Sequence, residues 1–260
     1  MAIGATVWRG RYGAVLPAPS LAGRPPPAPP FLDMTALLFD LNGVLVDDED
    51  QHYEALRAVL AREQIALTRE EYYAGFVGFD DRLCVVEAFR RANRTLVAEH
   101  IATLVDAKAQ AYRDLVAGSL RMVPGAAEFV EQAAGKFRLA VVSGSPRREI
   151  HAALERTGLQ PYFDVIVASE DVRRGKPDPE GLLQAHAALT GDRRGPAEPS
   201  IVIEDSLPGL HAAGAAGMSC AMLTTSHDAN TLRRAGADLV WESFAGHRPE
   251  ELLPLVEGRR

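Results

Sequence analysis

The chain reads as an α/β protein, a doubly wound parallel sheet with a four-helix insertion. Short apolar runs recur, helix-length stretches separate the later ones, and one long interval is helical throughout. The runs are Ala36-Leu37-Leu38-Phe39, Leu139-Ala140-Val141-Val142, Val165-Ile166-Val167, Ile201-Val202-Ile203 and Cys220-Ala221-Met222-Leu223. Each is apolar at every position, as expected of a strand covered on both faces. Three helix-length stretches between or after them, 147–157, 179–189 and 207–216, end at or just before Gly158, Gly191 and Gly217. Glycine just past a helix is the usual stop. Strand alternating with helix implies a parallel sheet.

The interval 49–117 breaks the alternation. Leu56, Val59 and Leu60 make one apolar stripe, Leu83, Val86 and Phe89 a second, and Leu104, Val105 and Tyr112 a third. These predict helices standing over the carboxyl edge of the sheet, where doubly wound proteins place their sites. The expected division is a core of 34–48 and 118–260 with a helical cap of 49–117. Residues 1–33 hold seven of the 17 prolines and three arginines against one aspartate. Arg9, Arg11 and Pro17 interrupt any apolar stretch of a signal peptide, so the segment reads as a disordered polyproline-like extension. Met34 directly precedes the first strand and is the expected translation start.

The 260 residues carry a net charge of -7, which leaves no basic stripe for a nucleic-acid partner. No apolar run reaches membrane-spanning length, so no membrane partner is expected. Cys84 and Cys220 stand far apart without neighbours at metal-ligand spacing, which points to reduced thiols and a cytoplasmic protein. A monomer is expected.

Four motifs carry chemistry. Leu38-Phe39-Asp40-Leu41-Asn42-Gly43 delivers a carboxylate to a strand end, with a glycine for a tight turn. Such a carboxylate can attack phosphorus. Val142-Ser143-Gly144-Ser145-Pro146 ends a strand in a hydroxyl and opens a helix. Ser143 and the free amides from Gly144 onward suit phosphate oxygens, and Ser145 is the expected helix cap. Gly175-Lys176-Pro177 offers a cation in a rigid turn, able to neutralise nucleophile and phosphate together. Ile203-Glu204-Asp205-Ser206 ends a strand in two acids, suited to a hard cation such as magnesium. Nucleophile, phosphate site, cation and metal site are the parts phosphoryl transfer requires. The scheme requires Asp40 and Asp205 to approach within roughly 5 Å, close enough to share one ion.

With these motifs the chain resembles the haloacid dehalogenase superfamily over 35–227, in particular the subgroup with a helical cap after the first motif, which includes β-phosphoglucomutase and phosphoglycolate phosphatase. The resemblance implies a Rossmann-like core and a Mg2+-dependent phosphohydrolase of small phosphorylated metabolites. It implies Asp40 as nucleophile, with Asp40, the main-chain carbonyl of Asn42, Glu204 and Asp205 on the metal. Ser143, Gly144 and Lys176 would hold the phosphoryl group. His52, Arg82 and Lys108 in the cap would face substrate.

One departure matters. The family's phosphatases usually carry Asp two residues after the nucleophile, as general acid and base, and here the position is Asn42. An amide exchanges no proton at neutral pH, and losing such help costs about 100- to 10,000-fold. The expectation is an enzyme biased toward good leaving groups, one in which His52, Asp47 or Asp48 substitutes, or a slow one that traps phosphoenzyme. Relatives that cleave carbon–halogen bonds also lack this Asp but need no metal, and Glu204-Asp205 argues against that chemistry. The alternatives are a catalytically impaired phosphometabolite-binding protein and a β-phosphoglucomutase-like mutase.

Overall fold

In a computed structural model, residues 36–117, 120–191 and 199–257 are described. The proposed extension 1–33 and Met34 lie outside them. Six parallel strands form one sheet in the order β3-β2-β1-β4-β5-β6. They are β1 (Ala36–Phe39), β2 (Arg138–Val142), β3 (Val165–Val167), β4 (Ser200–Glu204), β5 (Ser219–Leu223) and β6 (Leu239–Trp241). The order runs outward both ways from β1, which is double winding. β1 sits between β2 and β4, so Phe39 stands level with Val141 on one side and Ile203 on the other. That register brings three strand ends together.

Residues alternate between faces along a strand. Leu37, Phe39, Leu139, Val141, Ile201 and Ile203 pack on one face, and Ala36, Leu38, Ala140, Val142 and Val202 on the other. Helices cover both faces, so β1, β4 and β5 are buried throughout. These are α5 (Ala126–Ala134), α6 (Arg147–Thr157), α7 (Glu180–Thr190) and α8 (Leu207–Ala215), with the short α9 (Ala229–Arg234) and α10 (Pro254–Glu257). Phe39 meets the rings of Phe129, Phe163 and Phe244 at centroid separations of 5.7 to 6.4 Å. Truncating a phenylalanine so buried costs about 3–5 kcal/mol.

Between β1 and β2 stand α1 (Glu49–Arg62), α2 (Arg69–Gly75), α3 (Asp81–Arg91) and α4 (Ala98–Val116). They bury a core of their own, built on Leu56, Val59, Leu60, Tyr72, Phe76, Val85, Phe89 and Leu104. The stripe expected on α3 is corrected. Leu83 and Val86 are both 36% exposed, while Cys84, Val85, Ala88 and Phe89 are buried. The side chain of Asp80 caps the helix on the Leu83 amide at 2.7 Å, and this start turns the Val85–Phe89 line inward. Among the described residues no helix is long and apolar enough to cross a membrane.

Candidate active site

The turn after β1 places the nucleophile candidate. The Asp40 amide donates to the Ile203 carbonyl at 3.0 Å, extending the sheet one residue beyond Phe39. The chain then doubles back, with Leu45 and Val46 amides donating to the Leu41 carbonyl at 2.8 and 3.0 Å. Gly43 has φ +72°, and a β-carbon there would stand 2.0 Å from Asp205 Oδ2. Only glycine lets this turn close onto the acid at the end of β4.

Asp40, Glu204 and Asp205 each offer a carboxylate oxygen, and the three atoms lie within 4.8 Å of one another. The approach required of Asp40 and Asp205 is met. Lys176 Nζ donates to Asp40 Oδ1 at 2.6 Å, Glu204 Oε1 at 2.5 Å and the Val142 carbonyl at 2.9 Å. All three protons of its ammonium are used. Lys176 comes from the loop between β3 and α7 rather than from a strand end, which differs from Asp40, Ser143 and Glu204. Glu204 Oε2 accepts the Asp205 and Ser206 amides and the Ser206 hydroxyl, at 2.9 to 3.0 Å. Asp205 Oδ2 accepts from Thr225 Oγ1 at 3.2 Å and from Ser226 Oγ.

The charge balance is short of cations. Burial pushes the Asp40 carboxyl up to about 7, the Lys176 ammonium opposes this, and the Glu204 carboxylate adds to it. Burial, then the charges of Glu204 and Asp40, hold the Asp205 carboxyl well above the usual carboxylate range. Burial works against the Lys176 ammonium, yet Asp40 and Glu204 outweigh it and keep the lysine charged. Three buried carboxylates against one ammonium, all oxygen donors, suit a hard divalent cation. Asp40 and Asp205 have oxygens to spare for it. Both Glu204 oxygens already accept hydrogen bonds, so Glu204 fits contact through water.

The loop after β2 faces the same point. The Ser143 amide donates to the Val167 carbonyl at 3.0 Å, and its hydroxyl accepts the Ser145 amide at 3.1 Å. The expected cap is corrected: Pro146 is the N-cap of α6 and no side chain caps it. Ser145 Oγ instead donates to Asn42 Oδ1 at 2.7 Å.

Asn42 is held on every side. Its Nδ2 donates to both oxygens of Asp48 at 3.0 Å and stands 2.9 Å from His52 Nε2. Lys108 Nζ meets His52 Nδ1 at 2.5 Å and Asp81 Oδ1 at 2.6 Å. Burial opposes the Lys108 ammonium, but Asp81 outweighs it and raises its affinity for the proton. An ammonium has no lone pair, so it donates to Nδ1. His52 Nε2, 3.6 Å from Asp48 Oδ2, and Asn42 Nδ2 both face Asp48, which also accepts from the Tyr112 hydroxyl. Burial alone would raise the Asp48 carboxyl, but His52, Tyr112 and Asn42 overcome it and hold it below the usual range. Asp48 is therefore an ionised anchor for the amide. Asp47 is no substitute for the missing acid, since it points outward to Arg121 at 3.2 Å with 48% of its side chain exposed.

One cavity joins these groups, lined by Asp40, Asn42, Ser143, Gly144, Lys176 and Asp205 from the core and His52 from α1. Two of the residues expected from the cap are elsewhere. Arg82 is exposed and Lys108 is buried beneath the wall, and neither lines the cavity. Arg82 follows the N-cap on the outer side of α3, while Asp81, one residue earlier, turns in and draws Lys108 to itself. Glu49 and Asp81 line it as well, and sequence reasoning missed Glu49. Its position in the first turn of α1 reads as an ordinary acid at a helix start. Gly78 seats the cap on the core: at φ +83° a β-carbon there would meet Ser206 Oγ at 2.5 Å.

The family model for haloacid dehalogenase-like hydrolases matches residues 34–217. The chain belongs to the haloacid dehalogenase-like hydrolases. This hydrolase is 35% identical over 210 residues to validoxylamine A 7'-phosphate phosphatase of Streptomyces hygroscopicus subsp. limoneus, covering 76% of this chain and 89% of that one. It is 30% identical over 228 residues to the phosphorylated carbohydrates phosphatase of Thermotoga maritima, covering 86% and 99%. A mutant of CbbY from Rhodobacter sphaeroides, solved with xylulose-(1,5)bisphosphate, superposes on it with a TM-score of 0.68 at 29% identity, covering 81% of this chain and 95% of that one. With phosphatases among its relatives, this hydrolase is an enzyme of the phosphatase kind.

Proposed function

We propose that the chain is a magnesium-dependent phosphomonoester hydrolase working through an aspartyl phosphate on Asp40, with a bias toward good leaving groups. The observation that carries this is Lys176 bonded to both Asp40 and Glu204, beside an Asp205 oxygen within reach of both acids. Phosphatases of a sugar-like phosphate and of phosphorylated carbohydrates among the relatives support the substrate class. Cys84 and Cys220 are free buried thiols, which fits a cytosolic protein.

Asp40, Asp205 and the Asn42 carbonyl would hold Mg2+, with Glu204 through water. When bound, the ion neutralises the carboxylates and polarises the phosphoryl oxygens. The protein's own groups do the rest. Lys176 holds Asp40 Oδ1 and orients the carboxylate whose oxygen attacks. Ser143 and the Gly144 amide receive phosphoryl oxygens. The bond from phosphorus to the leaving oxygen breaks as Asp40 bonds to phosphorus. Asn42 lines the cavity where that oxygen departs and has no proton to give. Its place in the Asp48–Ser145 network keeps the geometry of the turn without the acid. Substrates whose leaving oxygen is stable as an anion therefore go fastest. Water then attacks the aspartyl phosphate without a carboxylate base at position 42, which makes this step slow.

Acid quench during turnover, followed by peptide mass analysis, tests the reading. A hydroxylamine-labile phosphate on the peptide carrying Asp40 is expected. Turnover with no phosphate on that peptide, or phosphate on another residue, refutes it. The second reading, a phosphometabolite-binding protein with negligible turnover, is favoured by one feature: Asn42 Nδ2 and Oδ1 are both bonded inward.

A further inference from the structure

Among the described residues Lys176 is the only lysine or arginine lining the cavity in front of Asp40, and its three hydrogen bonds are spent on Asp40, Glu204 and Val142. The cap side of that cavity is acidic. Glu49, in the first turn of α1, accepts from the Tyr72 hydroxyl at 2.5 Å through Oε1. Asp81, in the first turn of α3, gives Oδ1 to Lys108, and its Oδ2 is buried with no hydrogen-bond partner. A buried acceptor left empty is costly until a donor reaches it. Asn42 supplies no spare donor, because its Nδ2 is held by Asp48.

We infer that Glu49 and Asp81 read the leaving half of the substrate, accepting from its hydroxyl or ammonium groups and repelling a second anion. The substrate class is then a polyol or aminated polyol bearing one phosphate and no carboxylate. This rests on the phosphohydrolase reading above and narrows it.

Among the described residues, no cation lining the cavity is free to relieve a second anion. Lys108 is 3% exposed and committed to His52 and Asp81, with Glu149 adding a further negative field beside it. Arg174 lines the adjoining cavity, but it is paired with Asp178 at 2.9 Å with 77% of its side chain in solvent. Burial pushes the Glu49 and Glu149 carboxyls up, as expected of acids facing too few positive charges. A bisphosphate like the one in the CbbY complex would set its second phosphate against the Glu49 and Asp81 carboxylates. Like-charge contact of that kind weakens binding by at least about a hundredfold.

Calorimetry on the Asp40→Asn protein with Mg2+ tests this without requiring turnover. The ligands are a hexitol monophosphate, an amino-sugar monophosphate, phosphoglycolate and a pentose bisphosphate. The first two are expected to bind at least about a hundredfold more tightly than the last two. Asp81→Asn in the same background, which leaves Lys108 without its carboxylate, is expected to shrink that gap at least about tenfold. If that variant unfolds, Glu49→Gln is expected to shrink it in the same direction. Comparable affinities for all four ligands, binding of none, or a gap unchanged in the variants overturns the inference. Turnover of p-nitrophenyl phosphate by the native protein is read separately. Its absence refutes the phosphohydrolase reading, whereas its presence beside a flat affinity ranking refutes only the acidic wall.

Discussion

Asn42→Asp is the substitution that probes this site most sharply. In the native chain Nδ2 faces both oxygens of Asp48 at 3.0 Å. The substitution replaces that donor with an acceptor and sets two carboxyls against each other. If both ionised, they would repel by about 5 kcal/mol at an effective dielectric near 20. Holding one proton from an ordinary carboxyl value near 4 up to pH 7 costs about 4 kcal/mol. Repulsion exceeds that cost, so the pair keeps a shared proton at neutral pH. His52 and Tyr112 bond to Asp48 and favour its ionised form, so the proton sits on the new carboxyl, which lines the cavity. The variant thereby regains a general acid. Turnover of an alkyl monophosphate is expected to rise at least about tenfold, and more than that of p-nitrophenyl phosphate, whose leaving group needs little protonation. The gain should fade as pH rises and the pair loses its proton. Steady-state kinetics on both substrates from pH 5 to 9 read this out. No gain on a well-bound alkyl phosphate refutes the idea that position 42 limits the rate.

Two further outcomes follow from the same geometry. Lys176→Met leaves Asp40 and Glu204 buried without their shared cation, so the fold should lose about 3–5 kcal/mol in chemical denaturation and p-nitrophenyl phosphate turnover should fall at least about a hundredfold. In the metal-free protein the folded Asp40 carboxyl sits at about 7 against 3.8 for the unfolded chain, so the folded state keeps a proton that the unfolded state releases. Stability is then lost as pH rises from about 4 to about 7, by at most about 4 kcal/mol from this group, and denaturation in chelator at pH 5 and 8 against denaturation with Mg2+, which removes the loss, checks it.

Much of the fold was legible because buried parallel strands leave a plain signal. Every run from Ala36-Leu37-Leu38-Phe39 to Cys220-Ala221-Met222-Leu223 is a strand, extended by a residue or two where Arg138, Ser200, Glu204 and Ser219 pair at the ends. The edge strand β6 was missed, since the helix before it, Ala229–Arg234, has only six residues and gives the strand–helix alternation little to show there. The core half of the site was legible because Asp40, Ser143 and Asp205 follow directly on strands and Glu204 ends one. The cap half was not. Which of Asp80, Asp81 and Arg82 turns inward depends on where α3 starts, and that is set by the cap bond from the Leu83 amide to the Asp80 side chain. Ser145 reads locally as a helix cap and is taken by Asn42, 103 residues earlier in the chain. No local pattern encodes such a partner.

A magnesium titration of p-nitrophenyl phosphate hydrolysis, with native protein and Asp40→Asn side by side, bears most directly on the shared-ion site. Turnover should appear with the cation, vanish in chelator and be absent from the variant at any magnesium concentration. Hydrolysis that survives chelation, or that Asp40→Asn retains, would contradict it.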